Sequence, residues 1–477
     1  MNASQKQQQV LSTLNIDGSR RWIRPRPNAG RFLSARRVVA YFLIAVFTLL
    51  PYIRVDGKPS ILLDIIRREF TLFGTTFYPT DTLLLALLVL SWFVSIFLVT
   101  AFLGRFWCGW LCPQTVYMEF VYRPIERLFE GKPGGRKKTG GWRKPAKILA
   151  YLLISMFLAH TFLAYFVGID QLVHWIGRSP LNHPTSFLVM AFVTAMMMFD
   201  FAFFREQTCI VACPYGRFQS VLLDRNSLIV GYDKTRGEPR GKKIRTPKGG
   251  EVALNVIGDC VDCNKCVTCC PTGIDIRDGL QMECIGCAQC VDACDSVMDK
   301  IGRARGLIRY SSQAALEGGK RKVVRPRTLL YPLLLGALLT GLVLTAVGRT
   351  PAEISIIRAR GQPFYVSDNE IINNARIRVR NRTDTDVSYS VQLIDVADGH
   401  LLIDEADGAL TVGAGALAST TATIAVTPAA FANGDFVVTV RVTGSDGYAK
   451  DVEFRLFGPR YTPPTDGGND QVKPGDG

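Results

Sequence analysis

Histidine is nearly absent from this chain, with four residues in 477. No C-x-x-C-H occurs, which excludes covalently attached c-type haem, and His160, His174 and His183 make only a thin case for a b-type haem. Neither a G-x-G-x-x-G nor a P-loop is present, so there is no recognisable nucleotide pocket. Electrons, if the chain handles them, must then come from a partner protein or from quinol. Cysteine is missing before Cys108 and after Cys294, and the last 127 residues also lack Met and Trp.

What is abundant is apolar sequence in long blocks. Runs at Arg37 to Ile53, Thr82 to Gly104, Ile148 to Val167, Thr185 to Phe204 and Thr328 to Val347 each approach the roughly 20 residues a helix needs to cross about 30 Å of hydrocarbon. Five transmembrane helices are expected. The first follows a basic stretch (Arg20, Arg21, Arg24, Arg26, Arg31, Arg36, Arg37) and has no small-residue cleavage site, so it reads as a retained helix. Lys and Arg crowd the segments from Arg105 to Lys147 and Arg205 to Arg327, and the positive-inside rule places both in the cytoplasm. An odd number of spans sends the C-terminus to the periplasm of an inner-membrane protein. The cysteines then sit on the reducing side, where metal or redox chemistry is a better expectation than disulfides.

Net charge is +15, but residues 351 to 477 carry −6 and the rest +21. Topology and anionic lipid account for the basic excess, and nucleic acid is not expected as a partner. The fold class that follows is mixed: an α-helical membrane domain, an inserted bacterial-type 2[4Fe–4S] ferredoxin module and a C-terminal immunoglobulin-like β-sandwich. The expected divisions are a flexible basic segment at 1–36, a four-helix region at 37–228 and a basic connector at 229–257. The ferredoxin module follows at 258–304, a basic linker at 305–327 and the fifth helix at 328–347. The sandwich occupies 350–460, where period-two runs such as ARIRVRNRTD, SYSVQLIDV, STTATIAV, DFVVTVRV and DVEFRLF alternate with turn residues, and 461–477 is a disordered tail.

Cys260, Cys263, Cys266 and Cys270, then Pro271, read C-x2-C-x2-C-x3-C-P, and Cys284, Cys287, Cys290 and Cys294 repeat the spacing. In bacterial two-cluster ferredoxins the fourth cysteine of each run crosses to the other cluster. One cluster is therefore assigned to Cys260, Cys263, Cys266 and Cys294, and the second to Cys284, Cys287, Cys290 and Cys270. Paired zinc knuckles would show two separated C-x2-C pairs instead. Cys269 reads as a buried passenger, and Asp295 stands where a simple ferredoxin has Pro.

RFWCGWLCPQTVYMEF and QTCIVACPYGRFQS form an internal repeat, each closing a pair of helices with Cys-x-x-x-Cys-Pro at the cytoplasmic boundary. Cysteines four apart on a helix present both sulfurs on one face. Cys108, Cys112, Cys209 and Cys213 could together hold Cu(I), hold a third iron–sulfur cluster or act as a dithiol relay; the plain alternative is buried small side chains. Met190, Met196, Met197, Met198 and Asp200 precede the second motif as a candidate copper path, with Asp200 the costlier residue in a membrane. Glu119, Arg123 and Glu126 are compatible with a solvated helix face.

CGWLCPQTVYMEFVYRPIE, CIVACPYGRFQSV, GDCVDCNKCVTCCPTGIDIR and ECIGCAQCVDACDSVMDKIG together resemble the cytochrome c oxidase accessory family known as CcoG, FixG or RdxA, over nearly the whole chain. The resemblance implies a bacterial inner-membrane cupric reductase that supplies Cu(I) for assembly of the cbb-type oxidase, with oxidase subunits or their copper chaperones as partners. By the same resemblance the eight ferredoxin cysteines are cluster ligands, and the two Cys-Pro motifs are where copper is bound or reduced. Cys269 departs from the family's usual apolar residue. Two other readings remain: a quinol dehydrogenase subunit feeding a periplasmic reductase, and a redox-sensing assembly scaffold. The sandwich, with His400 its one histidine, is a poor copper store and a better docking module.

Overall fold

The computed structural model describes residues 12, 13, 17, 19–66, 68–78, 81–131, 141–241, 258–367, 370–396, 399–404, 409–431 and 433–460. The expected tail at 461–477 and most of the connector at 242–257 lie outside these, as do residues 132–140 and nearly all of 1–18. The chain divides into two compact units, 1–344 and 345–477.

Five helices of the first unit are long and apolar enough to span a bilayer. They are α1 (Arg31–Leu49, extended by a short turn to Tyr52), α2 (Thr82–Leu103), α3 (Arg143–Val167), α4 (Pro184–Met198, prolonged by a wide turn to Phe204) and α6 (Pro326–Val347). Each leaves large apolar side chains uncovered by protein, among them Val38, Phe42, Trp92, Leu188 and Leu333. A patch of that size would aggregate in water and is the ordinary outer surface of a helix in lipid. Where the chain emerges from α2 and α4, distant arginines satisfy the terminal carbonyls. Arg325 donates to Ala101 O (2.9 Å) and Arg321 to Phe102 O (2.8 Å). Arg20 does the same for Phe203 and Phe204. Helix C-termini expose unpaired carbonyls and a partial negative charge, so these cations complete both ends.

The ferredoxin module is inserted after α4. Its strand Ile229–Tyr232 pairs antiparallel with Ile308–Ser311, so the module is closed by elements outside the expected 258–304 limits. The helix α5 (Gln289–Lys300) docks the module on α1 through Asp292, whose buried carboxylate accepts from the Phe32 (3.2 Å) and Leu33 (2.8 Å) amides. Asp292→Ala is expected to weaken that contact by about 1 kcal/mol, the worth of an N-cap. Faster amide exchange at Leu33 in the holoprotein would report it.

In the second unit two antiparallel sheets face each other. One orders the strands His400–Ile403, Leu417–Val426, Glu370–Asn381 and Ala352–Arg358, with Tyr365–Ser367 also on Glu370–Asn381; the other orders Ala409–Val412, Val387–Leu393, Asp435–Gly444 and Ala449–Phe457. Alternate residues such as Ile377, Val379, Ile424, Val438, Val440 and Leu456 fill the space between. Two buried amides bridge elements as backbone would: Asn373 with Phe457 N and O, and Asn381 with Val412 O.

Candidate metal centres

The eight ferredoxin cysteines surround two cavities. Cys260, Cys263, Cys266 and Cys294 line one of about 360 Å³. Cys270, Cys284, Cys287 and Cys290 line the other, of about 340 Å³, with Cys266 at its edge. The fourth cysteine of each run thus sits with the other run's first three, as the spacing implied. The two runs are also conformational copies: Asp262 and Asn264 (φ 50° and 57°) match Gly286 and Ala288 (φ 67° and 56°). Successive left-handed turns of this sort aim backbone N–H groups inward, a cradle for an anionic core.

Among the described residues no three Cys, His, Asp or Glu converge closely enough to hold a single metal ion. A tetrahedral zinc with Zn–S near 2.3 Å needs sulfurs about 3.8 Å apart. Sulfurs ringed around a cavity instead suit a cubane, where each binds a different iron. Burial pushes the Cys266, Cys287 and Cys294 thiols up to about 12, so bare thiolates are disfavoured there and a bound cation would offset that cost. Cys269 lines neither cavity; its thiol donates to Cys266 O at 3.4 Å. Asp295 accepts from Gly306 N at 3.0 Å, which gives it a turn to hold.

The Cys-Pro motifs depart from the expectation of one continuous helix face. Cys108 lies in the short helix Phe106–Trp110, whereas Cys112 is extended (φ −62°, ψ 125°) and Pro113 opens a new helix, Pro113–Tyr117. The second copy repeats this: Cys209 sits in the turn Thr208–Ala212, Cys213 is extended (φ −73°, ψ 110°), and Pro214 begins Pro214–Leu222. Proline forces its predecessor out of the helical region, so each pair straddles a break. Gly104 (φ 57°, ψ −127°) and Arg205 (φ 56°, ψ −121°), four residues before the first cysteine of each copy, share one conformation, confirming the repeat at backbone level.

The four thiols are electrostatic neighbours. Cys108 feels Cys112 and Cys213, and Cys209 feels Cys112, Cys108 and Cys213. Burial, then these neighbours, pushes Cys108 up to about 12 against a nearby Arg105, and Cys209 is raised in the same way. Cys108 Sγ donates to Gln219 Oε1 at 3.2 Å, and Gln219, fully buried, donates on to Gly104 O at 2.9 Å.

The first motif touches the second cluster cavity directly. A Cβ on Gly109 would fall 2.6 Å from Ile285 O and 2.9 Å from both Cα and N of Cys287, so only glycine allows this approach. Buried Arg36 donates to Gly109 O at 2.8 Å, and its charge also reaches Cys287. Trp110 Nε1 donates to Tyr310 OH (3.0 Å), which donates to Gly286 O (2.5 Å).

Sequence reasoning missed the charge network beside these motifs. Glu119, Arg123 and Glu126 are buried, not a solvated face. Arg123 pairs with Glu119 and with Glu206 (3.5 Å), Arg205 with Glu126 (3.0 Å), and Arg24 with Glu130 (2.7 Å). Arg20 reaches Glu206 at 3.3 Å. Residues 19–30, expected to be flexible, run along this network and the ferredoxin: Arg26 N donates to Thr268 O (2.9 Å), Asn28 Nδ2 to Asp292 O (3.1 Å), and Ile23 is buried against Gly273. The Met path is not assembled. Met196 faces outward, Met190 packs against the cluster holding Leu163 and Leu172, and Met197 and Met198 pack against a separate cluster that holds Tyr117, Tyr122, Tyr151 and Phe201. Asp200 accepts from Thr208 at the entry to the second motif. His160 is occupied locally by Met156 O (2.8 Å), and His183 stacks on Trp175.

A five-helix membrane domain carrying two cysteine-lined cluster cavities defines a membrane-bound iron–sulfur electron-transfer protein. Family models agree: a 4Fe-4S binding domain matches residues 85–134, a 4Fe-4S dicluster domain 204–313, and the Ig-like fold at the C-terminal of FixG 342–459. The chain is 35% identical to protein RdxB of Cereibacter sphaeroides over 81% of its own length and 84% of the relative's. It is 34% identical to nitrogen fixation protein FixG of Rhizobium meliloti (76% and 77%) and 32% identical to protein RdxA of Cereibacter sphaeroides (76% and 80%). The chain belongs to the FixG/RdxA/RdxB family, and its two clusters are [4Fe–4S] centres.

Proposed function

We propose that this chain reduces Cu(II) to Cu(I) at the four Cys-Pro thiols with electrons from the ferredoxin module, and that the Cu(I) serves assembly of a cbb-type oxidase. The observation that carries the reading is the backbone contact of Gly109 on Cys287, which sets a thiol pair directly against the second cluster's ligand loop. Cys260, Cys263, Cys266 and Cys294 hold one cluster and Cys270, Cys284, Cys287 and Cys290 the other; each cluster supplies one electron at a time. Cys108, Cys112, Cys209 and Cys213 bind copper as substrate. Soft thiolates favour Cu(I) over Cu(II), so the site pulls the electron toward the metal. Two thiolates suffice for Cu(I), which fits thiols that, among the described residues, do not converge three at a time. Arg36 and Arg105 steady the contact, the first by gripping Gly109 and the second by holding Met282 O and Cys284 O.

The basic loops favour a cytoplasmic face for the thiols and ferredoxin and a periplasmic place for the sandwich, which would dock oxidase subunits or copper chaperones. The test uses protein reduced with dithionite, freed of reductant without oxygen, and given Cu(II) in a single turnover. Wild type should form Cu(I) in proportion to reduced cluster. The variant with Cys108, Cys112, Cys209 and Cys213 all changed to Ser should keep its iron and form none, and full Cu(I) yield there would sink the reading.

One observation favours a second role for the same thiols. The 4Fe-4S binding model at 85–134 spans Cys108 and Cys112, which supports a third cluster in place of copper. Iron counting on the purified protein separates the two, at eight irons or twelve, four per cubane.

A further inference from the structure

The two clusters are held by copies of one cysteine run, yet the charges set around them differ. Around the cluster of Cys260, Cys263, Cys266 and Cys294 the buried cation is answered on the spot. Arg277 lines that cavity, and its Nε donates to Asp275 Oδ1 (2.8 Å), one terminal nitrogen to Asp262 Oδ1 (2.6 Å) and the other to Asp275 Oδ2 (2.7 Å). Asp295, buried next to Cys294, adds a further negative charge, and Lys265 on the same wall is partly exposed. Cys263 is also the one exposed cysteine of the thirteen.

Around the cluster of Cys270, Cys284, Cys287 and Cys290 the cations come from the membrane domain. Arg36, on α1, is 1% exposed and donates to Gly109 O at 2.8 Å, the residue whose backbone meets Cys287; its two terminal nitrogens have no acceptor. Arg105, also buried, spends its terminal nitrogens on the uncharged carbonyls of Met282, Cys284 and Gly216. Neither arginine is bonded to a carboxylate among the described residues. Of the acids nearby, Glu283 is partly exposed, and the Asp292 carboxylate is taken up by the Phe32 and Leu33 amides. A [4Fe–4S] cluster gains a negative charge on reduction, so a buried cation beside it raises its potential and a carboxylate lowers it. Burial alone would disfavour that extra charge, and unpaired guanidinium groups in low dielectric reverse the order.

We infer that Arg36 and Arg105 give the cluster beside Gly109 the higher potential, so that electrons enter the module at the exposed Cys263 edge and collect at the cluster next to the Cys-Pro thiols. The step is a one-electron exchange: a reduced (1+) cluster at Cys263 and an oxidised (2+) cluster at Cys287 become oxidised and reduced respectively, and no proton moves. Because the raising charges sit on α1 and at the start of the first Cys-Pro motif, the gradient belongs to the docked protein and not to the ferredoxin module by itself. The inference rests on the electron-transfer reading, to which it adds a direction, and it is measured without copper.

The full chain in nanodiscs is titrated anaerobically with dithionite and redox mediators, and EPR of the reduced clusters follows the two one-electron waves. In wild type the waves should be separate. Arg36→Gln, which keeps a donor for Gly109 O and loses the charge, should lower the upper wave by about tenfold in the oxidised-to-reduced ratio, or about 59 mV for one electron, and leave the lower wave in place. Arg36→Lys, which keeps the charge, should recover most of that shift. Asp262→Asn removes a carboxylate on the other side, at a half-exposed position whose left-handed φ of 50° asparagine accepts. It should raise the lower wave and spare the upper. Iron and acid-labile sulfide report that both clusters are in place. Coincident waves in wild type, a lower-wave shift or no shift in Arg36→Gln, an Arg36→Lys variant as low as Arg36→Gln, or an upper-wave rise in Asp262→Asn would each overturn it. The Asp262 result decides even where an Arg36 variant loses its iron. Failure of Cu(I) formation from dithionite-reduced protein would instead strike the copper reading and leave this one standing.

Discussion

Gly109→Ala is expected to leave both clusters assembled and reducible and yet to slow delivery of electrons to copper several-fold, because the gap the electron must cross widens. The added methyl would lie 2.6 Å from Ile285 O and 2.9 Å from Cys287 Cα, whereas carbon contacts are comfortable at about 3.5–4.0 Å. The obstructing atoms are backbone, so no rotamer change relieves them. The hairpin and the cluster loop must part by about an ångström, at an overpacking cost of about 1–3 kcal/mol. Arg36, which donates to Gly109 O, would be dragged with it. The measurement is single-turnover Cu(I) formation from pre-reduced protein, with iron and acid-labile sulfide determined in parallel. A fully loaded variant that reduces copper at the wild-type rate would show that electrons leave the ferredoxin elsewhere.

The contrast between what was legible in the sequence and what was not follows the range of the forces involved. That the eight ferredoxin cysteines gather around two spaces is legible because ligand spacing is local, and the pockets they line show that placement. The five spans could be read because hydropathy is a property of single segments, and the structure moves their ends by only a few residues. In the sandwich the long alternating strands were visible. The short ones, Tyr365–Ser367, His400–Ile403 and Ala409–Val412, carry too few alternations to stand out from loop.

The break at Cys112 and Cys213 is written in the sequence as Cys-Pro: proline disfavours the helical region for the residue before it, and this outweighs the spacing by four. The Met residues of α4 show the opposite error: chemical type suggested a path, but Met196 and Met190 face different surroundings. The ion network had no local signature at all. Glu119 and Arg123 sit four apart and suggest a surface pair. Their burial depends on Arg20 and Arg24 from one end of the unit and Arg205 and Glu206 from another, and nothing in either segment names the other.

That network is the place where one conservative change should do the most structural damage. Glu206→Gln removes the carboxylate that answers Arg20 at 3.3 Å, Arg123 at 3.5 Å and Arg205 at 3.6 Å. All three arginine side chains are largely or wholly buried, and beside them Glu119 and Glu126 remain as the nearest opposite charges. Losing one partner of a buried pair strands the rest in low dielectric and costs about 3–5 kcal/mol, far more than an exposed pair is worth. Because Glu206 lies three residues before Cys209, the opening is expected to be local to the second motif. Amide exchange across Arg205 to Cys213 should quicken by about a hundredfold to a thousandfold, the same cost read at 1.4 kcal/mol per decade. Exchange in the ferredoxin helix α5 should change little. Adding Arg20→Gln to Glu206→Gln should recover part of the loss, since the two share one interaction and their effects cannot add. Unchanged exchange in the single variant, or strict additivity in the double, would mean that these charges are solvated and that the second motif is held in place by packing alone.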